Sequence, residues 1–166
     1  MGTGDLNAFP GGFSGSVRMA NGDVNGDGFD DIITAQGPGP GSGSQVRIFD
    51  GFQSIMNRQT VEIASFFVFS DQPGVSQTPG FGGGVFVASA DFDGFDELAV
   101  SPGLGANGHL KVFDFNGASG FLGSAPVLRA SFFAYPGFAG EIRITTLRFN
   151  GAEHLVTGSG AGSSKP

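Results

Sequence analysis

The sequence predicts an all-β fold in which blades of four short antiparallel strands form part of a β-propeller, with about two and a half blades in the chain. Three observations lead to this prediction. Short apolar runs are separated by turn residues, among them 31 glycines and 9 prolines in 166 residues. One pattern of residues recurs three times along the chain. No stretch of eleven or more residues shows convincing helical periodicity.

The recurring unit begins at Val17, at Val85 and at Ile142, each time with an alternating apolar strand. A linker rich in glycine and aromatic residues precedes each copy, at residues 9–13, 80–84 and 135–140. Repetition at this scale is typical of propellers and other repeat folds. We therefore expect a first blade at about residues 13–80, a second at about 81–138, and half of a third at about 139–166.

Each of the first two units contains four runs that favour strands, because they are rich in β-branched and aromatic residues and end at Gly, Asp, Asn or Pro. In the first unit these runs are 16–20, 31–35, 45–49 and 61–69. In the second unit they are 85–88, 97–101, 109–113 and 127–135. Pairs such as Val17 and Met19, or Ile142 and Ile144, show the period of two expected of a sheet.

The segment Asp23–Asp31 carries the main chemical signal, because it places oxygen-bearing side chains at its first, third, fifth and ninth positions. Calcium takes about six to eight oxygen ligands, and a loop that alternates Asp or Asn with small residues can curl around the ion. Gly28 at the sixth position permits the sharp turn. The predicted calcium ligands are Asp23, Asn25, Asp27, the backbone carbonyl of Phe29, and Asp31.

The sequence after this loop argues against an EF-hand, which needs a Glu at position twelve and a helix on each side. Position twelve is Thr34, and the β-branched run 32–35 is followed by glycine and proline, which favours a strand. The remaining alternative is a solvated turn, since Asn-Gly and Asp-Gly are common in hairpins. A plain hairpin gains nothing from four carboxylates in nine positions, so we favour the metal site.

The second and third units keep less of this ligand pattern. The second lacks two residues between Asp91 and Asp93, and its ligands for a weaker calcium site are Asp91, Asp93, Phe95 and Glu97. The third places Arg148, Asn150 and His154 at the corresponding positions, which are too few carboxylates for a hard divalent ion. We therefore expect the third loop to be metal-free, with the Arg148 guanidinium as an alternative source of positive charge.

The Phe-Gly linkers, the Asp-x-Asn-x-Asp-Gly-x-x-Asp loop and the Gly-Pro-Gly stretch after the following strand resemble FG-GAP repeats. These repeats form the blades of integrin α-subunit propellers and of many secreted bacterial proteins. The resemblance extends from about Phe9 to Gly162 and implies calcium bound between the first and second strands of a blade. It also implies an extracellular or secreted location, although no segment of the chain looks like a signal peptide or a membrane span.

Composition and residue chemistry argue against several other functions. The net charge of −7 gives no electrostatic footprint for nucleic acid. Cysteine is absent, and the two histidines, His109 and His154, are interpreted as surface residues. Serines lie in glycine-rich loops without the strand-turn-helix context of a nucleophile elbow. We therefore expect no enzymatic activity.

The phenylalanines that end each unit are expected to pack between blades: Phe66, Phe67, Phe69, Phe132 and Phe133.

The function predicted from these features is a calcium-binding extracellular module for adhesion, recognition or assembly, with an unknown protein or glycan partner. One alternative is a structural subunit that associates with itself through its open blade edges, because a closed propeller typically has about four to eight blades. Rings and fibres, or a fragment of a longer propeller, all fit that expectation. A second alternative is a carbohydrate-binding accessory module of a secreted hydrolase, although the chain has no Trp and only one Tyr.

Overall fold

The computed structural model describes residues 6–69, 82–105, 108–115 and 126–162. Three antiparallel sheets follow one another along the chain. The first contains β1 to β4, at Val17–Gly22, Asp31–Gln36, Gln45–Phe49 and Glu62–Phe67. The second contains β5 to β8, at Val85–Asp91, Asp96–Pro102, His109–Asp114 and Val127–Phe133. The third contains β9 and β10, at Ile142–Phe149 and Ala152–Ser159.

The first two sheets have the architecture expected of propeller blades, because each contains four antiparallel strands in sequence order. The all-β prediction is therefore confirmed, and the third sheet is a two-stranded hairpin. Within the described residues the sheets do not close into a ring, so the chain forms a partial propeller. The proposed blade boundaries remain predictions, since only the strands themselves are observed.

The one helix among the described residues, α1 at Gly51–Met56, was not predicted. Asp50 starts it by accepting a hydrogen bond from the backbone N–H of Gln53, which is a common way to satisfy a free amide at a helix N-terminus. The helix contains only six residues, which is too short to show periodicity in sequence. It follows β3 directly and brings its first residue, Gly51, against the loop between β1 and β2.

Both blades contain a β-bulge at the same place between their third and fourth strands. In the first blade, Ile48 pairs with Ala64 and Phe49 pairs with Glu62, so Ile63 has no partner in the ladder. In the second blade the unpaired residue is Arg129, between Leu128 and Ala130. A bulge turns its extra side chain in a direction that the regular strand does not allow. The two blades therefore differ in chemistry at one matched position, with an isoleucine in one and an arginine in the other.

The core lies mainly between the first two blades and contains the apolar residues of their facing sheets. Phe69 is fully buried, and Phe66 packs edge-on against Phe113 of the next blade, with ring centroids 5.2 Å apart. The expectation of a phenylalanine core is wrong for Phe67, Phe132 and Phe133, which are 36%, 42% and 51% exposed. In the part of the chain that the structure describes, the sheet that follows Phe132 and Phe133 has only two strands.

The interpretation of His109 as a surface residue is also wrong. Its side chain is 5% exposed, stacks on Phe133 and bonds to the Ser131 hydroxyl at 2.6 Å. His154 is exposed on β10, as expected. Among the described residues no helix has the length and apolar character needed to cross a membrane.

The third sheet is joined to the second blade by specific hydrogen bonds. The Ser101 hydroxyl donates to the backbone carbonyl of Ile142 at 2.5 Å, and both residues are fully buried. Tyr135, in the linker before β9, is half-buried, and its hydroxyl lies 3.1 Å from the carbonyl of Thr157 on β10. The hairpin is therefore docked against its neighbour at both strands.

Candidate functional site

The loop between β1 and β2, called the first loop, is closed by Asp23. Its two carboxylate oxygens accept backbone N–H groups from Asp27 at 3.0 Å and Gly28 at 2.8 Å. Gly28 has a φ of +90°, a region that favours glycine, and this conformation lets the chain turn back toward Asp23. Asp23, at the first position, is thus hydrogen-bonded to the backbone amides of the fifth and sixth positions.

Asn25 brings the third, fifth and ninth positions of the first loop together. Its side-chain amide nitrogen lies 3.4 Å from Asp27 Oδ2 and 3.3 Å from Asp31 Oδ1. Asn25 is only 7% exposed, so these polar atoms meet at the buried end of the loop. Four of the five predicted calcium ligands therefore belong to one connected cluster of side chains.

Asp31, at the ninth position, is fully buried at the start of β2. Its carboxylate accepts N–H groups from the backbone of Asn25 at 3.3 Å and of Gly51 at 3.0 Å. Burial raises the pKa of this carboxyl to about 7, although these two hydrogen bonds act to lower the pKa. Among the described residues no Lys or Arg forms an ion pair with Asp31. A negative charge at this position therefore lacks a cationic partner from the described chain.

Phe29, whose carbonyl is the fifth predicted ligand, lies on the exposed side of the first loop. Its N–H donates to Asp27 Oδ1 at 2.9 Å, and its ring packs edge-on against Phe52 of α1 at 5.0 Å between centroids. The helix thus supports the first loop from two directions, through the ring of Phe52 and through the amide of Gly51.

The donor set of the first loop suits a hard cation, because it offers carboxylate and amide oxygens and buries one carboxylate without a counter-charge. In the structure these oxygens accept backbone amides. Within the described residues no group of three or more His, Asp or Glu side chains has the close arrangement of a formed metal site. The residues present fit calcium in the chemistry of their oxygens, but the side chains of Asp23 and Asp27 would have to release backbone amides to reach an ion.

The loop between β5 and β6, called the second loop, is built in the same way but is shorter. Asp91 accepts the N–H of Gly94 at 2.5 Å, and buried Glu97 accepts the N–H of Phe92 at 2.9 Å. Asp93 and Phe95 lie on its exposed side. Burial raises the pKa of Glu97, as burial does for Asp31 in the first loop.

The guanidinium of Arg129 contacts the carboxylates at the second loop. Arg129 Nη1 lies 2.5 Å from Asp93 Oδ2, 2.9 Å from Asp114 Oδ2 and 3.3 Å from Glu97 Oε1. The hydrogen bond and charge of Asp93 raise the pKa of Arg129, so the guanidinium stays charged. Two of the predicted ligands of the weaker site, Asp93 and Glu97, are therefore already paired with a positive charge.

The two loops touch each other. The backbone N–H of Asp23 donates to Asp96 Oδ2 at 2.7 Å, across the boundary between the blades. Burial raises the pKa of Asp96, and the neighbouring carboxylates of Asp30 and Asp91 act in the same direction. A change in the position of Asp23 would therefore alter the hydrogen bond to Asp96, next to the second loop.

The third unit has a tight turn in place of a loop. Phe149 pairs with Ala152, so only Asn150 and Gly151 connect β9 to β10. Both have positive φ, at 50° and 80°, as in the type I′ turns that join hairpin strands. Arg148 faces Glu153 in the register, and His154 faces Leu147. The three residues named in the sequence therefore lie on a regular hairpin, with no loop between them that could surround an ion.

Three residues that contact the two acidic segments were missed from sequence: Gly51, Asp96 and Arg129. The Gly51 amide carries no side-chain signal at all. Arg129 could have been found by aligning the two units, because it is a charged residue at the position where the first unit has Ile63. An arginine in an otherwise apolar strand, opposite an acidic loop, indicates an ion pair.

Residues 17–49 match the family model described as FG-GAP repeat. The matched segment contains β1, the first loop, β2 and β3. The resemblance inferred from the sequence is confirmed over this segment. No curated protein matches the chain.

Proposed function

The chain contains an FG-GAP repeat, and from this premise we propose that it is part of a calcium-stabilised β-propeller that acts outside the cell as a module for adhesion, recognition or assembly. We propose no catalytic role. The support for a propeller is the pair of four-stranded blades with matched bulges. The support for calcium comes from the first loop.

The observation that carries the calcium proposal is the buried carboxylate of Asp31. A buried charge is costly unless it is paired, and Asp31 has only N–H donors around it in the described chain. Asn25 and Asp27 hold further oxygens within one hydrogen bond of it. A divalent cation at this end of the first loop would supply the missing positive charge.

Calcium would be held by the side chains of Asp23, Asn25, Asp27 and Asp31, with the carbonyl of Phe29 as the backbone ligand that the resemblance implies. The ion would supply positive charge and a rigid link between β1 and β2. A ligand that binds only the folded state stabilises it by about 2.7 kcal/mol at a hundredfold excess over Kd. Extracellular modules bind calcium at roughly 10⁻⁴ to 10⁻³ M, so the loop would be filled outside a cell.

The described side chains also support a non-catalytic role. His109 is buried and contacts Phe133 and Ser131, an environment that does not favour a catalytic role. The carboxylates of the two loops are engaged by backbone amides or by Arg129. These contacts leave the blades as scaffolding, with the exposed loops as the surfaces available to a partner.

The experiment is a thermal denaturation series with added calcium and with chelator. We expect the parent chain to melt at a higher temperature in calcium, and Asp27→Ala to lose most of this gain. The matched control is Asp93→Ala, which changes the corresponding carboxylate of the second loop and should keep the calcium response. Equal losses in both variants, or a parent that does not respond to calcium, would contradict the proposal.

A second candidate function, self-association, is favoured by the exposed apolar surface of the third sheet. Leu147, Phe149 and Val156 are 55%, 60% and 41% exposed, and within the described residues β10 has no strand on its outer side. An unpaired edge beside apolar side chains can accept a strand from another chain. Light scattering over a concentration series tests this: growth of a discrete oligomer supports it, and a monomer at all concentrations contradicts it.

A further inference from the structure

We propose that Arg129 is the built-in cation of the second loop, so that this loop is held closed by a guanidinium and takes no divalent ion. The inference goes beyond the proposed role of calcium in the first loop and does not depend on it. It revises the expectation of a weaker calcium site at Asp91, Asp93, Phe95 and Glu97.

The guanidinium of Arg129 lies among the carboxylates of the second blade. Arg129 Nη1 is within 3.3 Å of carboxylate oxygens from Asp93, Glu97 and Asp114, which lie on three different segments of the blade. One nitrogen that contacts three carboxylates occupies the place where a shared cation would have to sit. A calcium ion would need the same oxygens at about 2.3 to 2.6 Å, so the two cations exclude each other.

A β-bulge in β8 places the side chain of Arg129. Arg129 is the unpaired residue of the bulge in β8, and the matched residue of the bulge in β4 is Ile63. Ile63 is 5% exposed and belongs to the apolar core. The matched bulge therefore supplies an apolar side chain to the core in the first blade and a cation to the second loop in the second blade.

The acidic segment of the second blade is also shorter. Asp91–Glu97 has two residues fewer than Asp23–Asp31, and it has no residue that corresponds to Asn25. Glu97 replaces Asp31 at the start of the following strand, and its longer side chain meets Arg129. Its Oε1 accepts no hydrogen bond within the described residues, so the guanidinium is the contact that compensates its charge.

Asp114 differs in its contacts from the matched residue of the first blade. Asp50, the residue matched to Asp114 in the first blade, caps helix α1, whereas Asp114 contacts Arg129. A mobile ion would be released when calcium is scarce, but a guanidinium is covalently attached and stays charged at any physiological pH. The second blade therefore keeps its loop structure in conditions that would empty a calcium site.

The test uses isothermal titration of the purified chain with calcium chloride, and its first variant is Asp93→Asn. If Arg129 replaces the ion, Asp93→Asn leaves the number of bound calcium ions unchanged and alters their Kd by no more than about twofold, as expected of independent sites. Loss of a bound ion in Asp93→Asn would overturn the proposal, because it would show that the second loop binds calcium in the parent.

A second pair of variants tests the charge directly by thermal denaturation. Arg129→Gln should melt at a lower temperature than the parent in chelator and recover part of the loss in calcium. Arg129→Lys, the matched control that keeps a cation, should lose less and show no additional calcium response. An Arg129→Gln variant as stable as the parent in chelator would overturn the proposal.

The outcomes also separate this inference from the calcium site of the first loop. A parent chain that binds no calcium would contradict the proposed calcium site at Asp27 and Asp31. The comparison of Arg129→Gln with Arg129→Lys in chelator would still test the role of Arg129. If Arg129→Gln fails to fold, the titration of Asp93→Asn decides the question without it.

Discussion

The first and second loops connect matched strands, and they differ in whether the described chain supplies a positive charge to their carboxylates. Each connects the first two strands of a four-stranded blade, and each ends in a fully buried or nearly fully buried carboxylate, Asp31 or Glu97. In the second loop Arg129 meets the carboxylates, whereas the first loop has only amides around Asp31. An acidic loop sequence is therefore insufficient evidence for a metal site.

If our two proposals hold, the residue that distinguishes a loop that binds calcium from one that does not lies outside the loop. Ile63 and Arg129 are on the fourth strands of their blades, far from the acidic loops in sequence. Both are bulge residues, and in the second blade this position carries the side chain that pairs with the buried carboxylate of Glu97.

The largest effect that would sharpen this comparison is expected for Asp31→Asn. The amide keeps an acceptor for Gly51 but loses the charge that calcium would bind, so in calcium the free energy of unfolding should fall by about 2.7 kcal/mol. In chelator the loss should be smaller than this, because the uncharged amide is cheaper to bury, although its NH2 group cannot accept the N–H of Asn25. Urea unfolding in both conditions measures the two values, and equal losses would break the comparison.

A smaller effect, from backbone shape alone, is expected for Gly28→Ala. The φ of +90° strains any residue with a Cβ, while the space around it is open, so the cost should be about 1 kcal/mol. This cost should be the same with calcium and with chelator, unlike that of Asp31→Asn. The control Gly158→Ala, on β10 without a positive φ and with open space, should be near neutral by the same unfolding assay.

The smallest effect is expected from salt on the second loop. Arg129 is 42% exposed at its side chain, and ions in solution screen its attraction for Asp93 and Asp114. The difference in melting temperature between the parent and Arg129→Gln should therefore shrink as sodium chloride is raised from low to about 1 M. A difference that does not change with salt would show that the arginine acts by packing.

Most of the strand architecture could be predicted from sequence, because its determinants are local. The run 45–49 is β3 as predicted, and Val85 and Ile142 begin strands at the starts of their repeats. Helix α1 could not be predicted, since six residues started by the side chain of Asp50 leave no periodic pattern. The burial of His109 was missed because it depends on Phe133, on another strand.

The candidate site was predicted in part. The side chains of Asp23, Asn25, Asp27 and Asp31 do lie together, because all four belong to one loop whose glycines permit the turn. The amide of Gly51 and the guanidinium of Arg129 come from other elements, and only the fold brings them to the loops. Calcium binding by the first loop stays a prediction, and for the second loop our proposal for Arg129 replaces the predicted calcium site.

The contact of Tyr135 with β10 has a practical consequence for spectroscopy. The chain has one tyrosine and no tryptophan, so its ultraviolet emission comes from a single phenol. That phenol is half-buried, with its hydroxyl 3.1 Å from the Thr157 carbonyl. Emission from the native chain therefore reports where the third hairpin meets its linker, and a partner that displaces the hairpin would be visible without an added label.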